Sequence, residues 1–385
     1  MTDWQRVPVA AVAADKGLVG GPFGSSLGSK DYVPAGVPVI RGVNLGSLGK
    51  FSPRGFVYVT PDKAHGQLAR NLAIPGDVIF TQRGTLGQVG VVPAGPYEEY
   101  VISQSQMRLR VNRDVALPDF VYYHFKSPEM VAEIHNRAIA TGVPHINLGI
   151  LSRLEISLPP LKIQQKIVEL LGALDEKIAL NERISDTSLE LARAMYSDAI
   201  SARGETTELG NCVSLKYGKA LREPDRRPGE VPVFGCTGQV GWHDSVLTQH
   251  KGAVVGRKGA NAGWVSWAPR PCWVIDTAFF ADITRPDLSS ELVFLLLETA
   301  NLPSLVGDSA VPGLNRDAAH AKFVRVPTRE AAHELSEKVS PLMLRSTQTQ
   351  YESRALAGLR DTLLPQLMSG KLRVRDAEEI VEDAA

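Results

Sequence analysis

The sequence predicts an α/β protein: two β-rich mixed heads joined and separated by two long antiparallel coiled-coil helices, with a pseudo-twofold internal repeat. Three observations lead there. Motifs of the first half recur in the second. Two stretches of about forty residues carry apolar side chains at steps of three and four. The segment before each stretch consists of short β-branched or aromatic runs broken by Gly and Pro. The expected order is a first head over 1–157, a central helix over 158–203, a second head over 204–327, a distal helix over 328–374 and an acidic tail over 375–385.

In the first head, Val37-Pro-Val-Ile-Arg-Gly recurs as Val231-Pro-Val-Phe-Gly in the second. Gly76-Asp-Val-Ile-Phe-Thr-Gln-Arg-Gly recurs as Gly252-Ala-Val-Val-Gly-Arg-Lys-Gly. Val143-Pro-His-Ile-Asn recurs as Val311-Pro-Gly-Leu-Asn, which sets Pro144 and Asn147 opposite Pro312 and Asn315 at an offset of 168 residues. The same offset carries Leu161 to Arg329 and Leu191 to Leu359. Strands are expected at 55–60, Val78–Thr81, 89–92, 254–256 and 273–277, and one helical stretch per head at 120–140 and 290–302.

The central helix has its apolar stripe on Ile163, Ile167, Leu170, Leu174, Ile178, Ile184, Leu191 and Met195, with Asn181 and Ser188 filling the gaps. The distal helix has Leu335, Val339, Leu342, Ser346, Thr349, Ser353, Leu356, Leu363 and Leu367, with Arg360 also on the stripe. Apolar residues at this repeat make a coiled-coil seam, and polar ones within it fix register. Pro159-Pro160 and Pro327 stop the preceding strands. Pro365 is expected to kink or end the distal helix and Gly370 to close it. At 1.5 Å per residue each helix would be on the order of 60 Å long. The seam residues Ile163, Ile167, Leu170, Leu174 and Ile178 are expected to pack antiparallel on the end of the distal helix that bears Leu356, Leu363 and Leu367.

The 385 residues carry 42 basic and 42 acidic side chains, so bulk charge does not hold nucleic acid here. Any such surface must come from local clustering or from basic partners. The three cysteines, Cys212, Cys236 and Cys272, have no metal-type spacing and leave one thiol unpaired, which fits a reducing cytoplasm. No apolar run is long enough to span a bilayer, and MTDWQRVPVA has no signal-peptide pattern.

Catalytic signatures do not emerge. Gly84-Thr-Leu-Gly87-Gln-Val-Gly90 leads into Val91-Val92 rather than a helix, so it reads as a turn between strands and not a phosphate loop. Gly49-Lys50 is followed by Phe51, not by Ser or Thr. The eight histidines are scattered, without ligand spacing. The expectation is a chain with no catalytic, cofactor or metal site.

The chain resembles the specificity subunits of type I restriction–modification systems. The residues that carry the resemblance are Gly21-Pro-Phe-Gly-Ser with Asp31-Tyr32, Pro75-Gly-Asp-Val-Ile with Arg83-Gly84-Thr85, Leu158-Pro-Pro-Leu-Lys-Ile-Gln-Gln-Lys-Ile, Leu174-Asp-Glu-Lys-Ile-Ala-Leu-Asn and Leu359-Arg-Asp-Thr-Leu-Leu-Pro-Gln-Leu-Met-Ser-Gly-Lys-Leu. The resemblance implies that each head is a target-recognition domain reading one half of a split, asymmetric site in double-stranded DNA. The helices then set the spacing. Two methyltransferase subunits bring S-adenosylmethionine, and a restriction–translocase subunit brings ATP hydrolysis and cleavage. The candidate DNA-contacting residues are Arg41, Asn44, Gln82, Arg83 and Thr85 in the first head and Arg257, Lys258 and Asn261 in the second. Two other readings stay open: a partnerless structural or decoy paralogue, and a DNA-modifying enzyme with an unrecognised site.

Overall fold

Each head is closed by its own first and last strands. The structure, a computed structural model, describes residues 4–46, 49–139, 142–307 and 312–384; Val311 of the repeated motif and the end of the expected helix 120–140 lie outside them. The first head has β1 (Gln5–Pro8), β2 (Ala13–Gly20), β3 (Val37–Ile40), β4 (Val57–Val59), β5 (Leu72–Ala73), β6 (Val78–Thr81), β7 (Val89–Val91), β8 (Tyr100–Ile102), β9 (Gln106–Val111) and β10 (Glu155–Leu158). β1 pairs antiparallel with β10. One sheet runs β2-β9-β6-β7 and another β4-β3-β8-β5, with β3 and β8 parallel.

The second head repeats this plan with β11 (Gly204–Glu208), β12 (Val213–Tyr217), β13 (Val231–Gly235), β14 (Gly238–His243), β15 (Gly252–Gly256), β16 (Val265–Ala268), β17 (Trp273–Val274), β18 (Ala278–Ile283) and β19 (Phe323–Pro327). β11 pairs with β19, and the sheets run β12-β18-β15-β16 and β14-β13-β17. The strand orders match, apart from a counterpart for β5. The repeat is therefore one of topology as well as sequence.

By its contacts the chain forms two units, Met1–Leu180 with Glu352–Ala385, and Asn181–Tyr351. Each holds one head, part of the central helix (Leu161–Arg203) and part of the distal helix (Arg329–Met368). In the first unit Ile167, Leu171 and Leu174 share a core with Leu363, Leu364, Leu367 and Met368, and with Phe120, Tyr123 and Phe125 of the head. Ile163, Leu170, Leu356 and Leu359 pack at its edge. Asp175 meets Arg360 at 2.8 Å and Lys177 meets Glu352 at 3.2 Å, so the two segments run antiparallel. Ile178 is buried as well.

In the second unit the seam departs from the apolar stripe of the sequence. The buried positions are Asn181, Ser185, Ser188, Ala192 and Tyr196, whereas Leu191 is half exposed. Small and polar residues occupy the interface. Ser185 and Ser346 share a hydrogen bond of 2.8 Å, and Gln350 Nε2 donates to Ser185 Oγ at 3.0 Å. Met343 of this unit is buried more deeply than Leu342, as Leu171 of the first unit is more deeply than Leu170.

Three further details differ from the expectations. The helical stretch of the first head is two helices, Pro118–Lys126 and Pro128–Arg137, because Ser127 caps the second and Pro128 cannot continue the first. Pro365 does not end the distal helix, which continues to Met368 before Gly370 (φ +68°) closes it. A proline removes one main-chain bond, and burial of Leu363, Leu364, Leu367 and Met368 holds the turn in spite of it. The acidic end is itself a helix, Val374–Ala384, whose Val374 and Ala377 join the first core.

Two interactions bind the first head to the helices. Gln164 is fully buried. Its Oε1 accepts from Leu117 N at 2.9 Å, and its Nε2 donates to Pro159 O at 2.8 Å and Val115 O at 3.2 Å. Tyr123 OH donates to Asp175 Oδ2 at 2.7 Å while Arg360 Nη1 donates to Asp175 Oδ1 at 2.8 Å. Burial opposes the charge on Arg360, but its bonds to Asp175 and Asp361 more than offset that, so the guanidinium stays firmly protonated. The repeat offset places Met343 where Asp175 stands and Ala192 where Arg360 stands, and both lie in the apolar core of the second unit.

Two predictions follow from this packing. Asp175→Ala strands a buried hydroxyl and a guanidinium, and is expected to cost roughly 2–4 kcal/mol in urea unfolding, with Asp175→Asn costing less. His124 is buried, with Nε2 donating to Glu155 O at 3.1 Å. Burial holds its pKa down at about 4, against the opposing pull of that bond and of Glu129. Unfolding restores a value near 6.5, so the unfolded chain binds the extra proton first. Stability should therefore fall by up to about 3 kcal/mol as pH drops from about 6.5 to about 4, and the fall should vanish in His124→Gln.

Candidate nucleic-acid interface

β6 is a run of β-branched and aromatic residues buried throughout, and it delivers the chain into a short exposed turn. Gln82 and Arg83 start the turn, and both main-chain N–H groups donate to Ser105 O, at 2.6 and 3.4 Å. Gly84 (φ +98°) and Gly87 (φ +84°) take the left-handed conformations that close it. Leu86 is buried beneath, while Arg83 and Thr85 are exposed and Gln82 is half buried. Ile146 N donates to Gln82 O at 3.1 Å, so the loop before helix Leu148–Arg153 lies alongside.

The second head builds the same turn after β15. Arg257 N and Lys258 N donate to Thr277 O at 2.8 and 3.2 Å, and Leu314 N donates to Arg257 O at 2.9 Å. Gly259 (φ +89°) and Gly263 (φ +84°) repeat the two glycines, and Ala262 is buried in place of Leu86. Lys258 is exposed; Arg257 and Asn261 are half buried. The strand register corrects one sequence match. Thr81 faces Gln106 and Gly256 faces Ala278, so Asp77, not Gly76, corresponds to Gly252. Asp77 is structural in the first head: it is buried, accepts from Ile74 N at 2.9 Å and holds Arg110 through two bonds of 2.8 and 2.9 Å. Those bonds raise the Arg110 pKa.

Gln82, Arg83 and Thr85 share one turn, as do Arg257, Lys258 and Asn261. Arg41 follows β3 and, among the described residues, makes no bond to that turn. A Cβ on its neighbour Gly42 would lie 3.6 Å from Gln88 Oε1. Arg41 Nη2 donates to Gly55 O at 2.5 Å. Asn44 is removed from the candidate set. It is 0% exposed, with Oδ1 accepting from Arg41 N and Nδ2 donating to Ser52 O and Arg54 O. Its amide ties down the loop, and its burial keeps it from any base.

Several neighbours of the two turns carry no signal in the sequence. Gln88 and Gln106 lie beneath the first turn, with Thr81 Oγ1 bonded to Gln88 Oε1 at 3.2 Å and Ser103 bonded to Gln106. In the second head Arg257 stacks on Tyr217, its Cζ 4.7 Å from the ring centroid, and donates to Asp276 O at 3.0 Å. No local pattern marks these residues, because their partners are distant in the chain. Among the described residues no group of three or more His, Cys, Asp or Glu is placed to hold a metal ion. No helix among them is long and apolar enough to cross a membrane.

Each of the two similar heads shares a compact unit with parts of both long helices. Residues 58–187 match the family model of the type I restriction modification DNA specificity domain. The matched residues span the turn after β6 and the first part of the central helix. It is similar to the specificity subunit of the type I restriction enzyme HindI from Haemophilus influenzae, with 29% identity over 129 residues, 31% of this chain and 27% of that protein. The match thus spans about a quarter of that relative's length. The fold is that of the S subunit of a type I restriction–modification system from M. genitalium, with a TM-score of 0.65 at 18% identity over 94% of this chain and 96% of that one.

These placements separate a buried candidate from an exposed one. Asn44→Ala is expected to lower stability by about 2–3 kcal/mol, because it leaves buried main-chain groups unpaired. Arg83→Ala should leave stability within about 0.5 kcal/mol of the parent. Urea unfolding of both variants checks this.

Proposed function

We propose that the chain is the DNA-recognition subunit of a type I restriction–modification complex, without a catalytic site of its own, working in the cytoplasm. One observation carries the reading: both heads hang an exposed, polar and basic turn from the same strand by the same bonds, yet the turns differ in sequence. A scaffold that holds a loop constant while varying its side chains is what base reading requires, since sequence is read from base edges in the grooves. Gln82, Arg83 and Thr85 in one turn and Lys258 and Asn261 in the other are donors and acceptors suited to those edges. The near-neutral chain gains affinity from two linked heads and from basic partners rather than from its own net charge.

In this reading two methyltransferase subunits carry S-adenosylmethionine, and a restriction–translocase subunit carries ATP hydrolysis and cleavage. The target is double-stranded, split and asymmetric, because the two turns present different side chains.

The test is to express the chain with its methyltransferase and map methylated adenines by long-read sequencing. Two short specified parts with an unread spacer are expected, and exchanging residues 204–327 for another head should change one part only. Within a part, Arg83→Ala should cost about 1–3 kcal/mol at a single base position. An unsplit motif, or none, would overturn the reading.

A further inference from the structure

The two heads differ in chemistry beside their matched turns. In the first head three places beside the turn hold uncharged residues: β2 ends at Gly20, whose added Cβ would lie 3.5 Å from Leu148 Cδ1, and the turn begins with Gln82. Strand register and repeat offset put Tyr217, Arg316 and Arg257 at these places in the second head. The three come together there. Arg257 Cζ lies 4.7 Å, and Arg316 Cζ 5.2 Å, from the Tyr217 ring centroid. The ring is 48% exposed and rests against buried Phe279 at 5.1 Å.

We propose that Tyr217, Arg257 and Arg316 form a clamp for the phosphates of the DNA backbone, present in the second head and absent from the first. The inference rests on the DNA-recognition reading. Two guanidiniums on one ring repel each other, and stacking on the aromatic face offsets part of that cost. The Arg257 guanidinium is further fixed by its bond to Asp276 O. The carboxylate paired with Arg316 is Asp317, at 3.3 Å and 82% exposed, a surface pair of small strength. Nearby His320 accepts from Leu215 N through Nε2 at 3.0 Å, so its ring stays neutral there. Burial, and then the charge of Arg316, push its pKa down, with Lys216 adding to the effect. Asp317 opposes that shift, and the two guanidiniums on the ring keep N–H groups for an anion.

Phosphate suits this geometry better than a base edge. One guanine offers its O6 and N7 to one guanidinium, whereas neighbouring phosphates on a strand carry one negative charge each. Two cations on a common ring match a short run of backbone.

The experiment uses the full chain assembled with its methyltransferase subunits. Binding is measured across a potassium chloride series to a duplex carrying the mapped target and to a scrambled duplex of equal length. Arg316→Ala is expected to weaken both duplexes alike and to make the log–log salt slope shallower by about 1, with the methylation motif unchanged. Tyr217→Ala should act similarly, while Tyr217→Phe keeps the ring and the parental slope. Thermal melting confirms that each variant is folded; Arg316 is at the surface, so its variant decides the matter if Tyr217→Ala is unstable. A parental slope and affinity in Arg316→Ala, or a loss confined to one base pair, overturns the clamp and leaves the DNA-recognition reading standing. A wild-type complex that binds neither duplex overturns both.

Discussion

One carboxylate organises the first unit. Asp175 accepts from Tyr123 of the head and from Arg360 of the distal helix, so three segments far apart in the chain converge on it. Burying a charge is unfavourable unless it is matched, and here both oxygens are used. The pair fixes register between helices that an apolar seam alone would leave free to slide. In the second unit the corresponding places hold Met343 and Ala192, and the core there is apolar. A repeat that is similar in topology has thus been made unequal in chemistry at its most constrained point.

The same inequality marks the heads. Their turns hang from matched bonds to Ser105 O and Thr277 O, and matched glycines bend them. Around these constants the side chains change: Gln82 for Arg257, Gly20 for Tyr217, Leu148 for Arg316. The backbone supplies a fixed platform and the side chains supply the message. Asp77 belongs to the platform, as does Asn44 with its three bonds to main-chain groups.

Much of this was legible in the sequence, for physical reasons. The repeat of Pro144 and Asn147 as Pro312 and Asn315 was visible because each asparagine caps a short helix, a role few residues fill. The first half of the central seam was visible because its positions are large and apolar. Its second half was only partly visible: Asn181 and Ser188 are buried where expected, but Ser185 and Ala192 also occupy the interface while the apolar Leu191 faces outward. Nor did the acidic composition of the last residues reveal that Val374 and Ala377 would anchor them as a helix. The role of Asn44 was misread for a related reason: a polar residue on a loop looks the same in sequence whether it faces solvent or closes the loop from within.

The clasp of β1 on β10 bears on how the chain is made. Gln5 pairs with Leu158, so the first strand waits for some 150 residues before its partner exists. At 5–20 residues per second on the ribosome that is on the order of ten seconds or more with an open strand edge, a state that invites aggregation. β11 faces a similar wait before β19. Both waiting strands have the composition that blunts such an edge: Gln-Arg-Val-Pro in one, with a charge and a proline, and Gly-Glu-Thr-Thr-Glu in the other, with two like charges. Their partners, Glu-Ile-Ser-Leu and Phe-Val-Arg-Val-Pro, are the more apolar members and emerge only when a mate is already in place. The order of polar strand before apolar strand lets each nascent head remain soluble until it can shut.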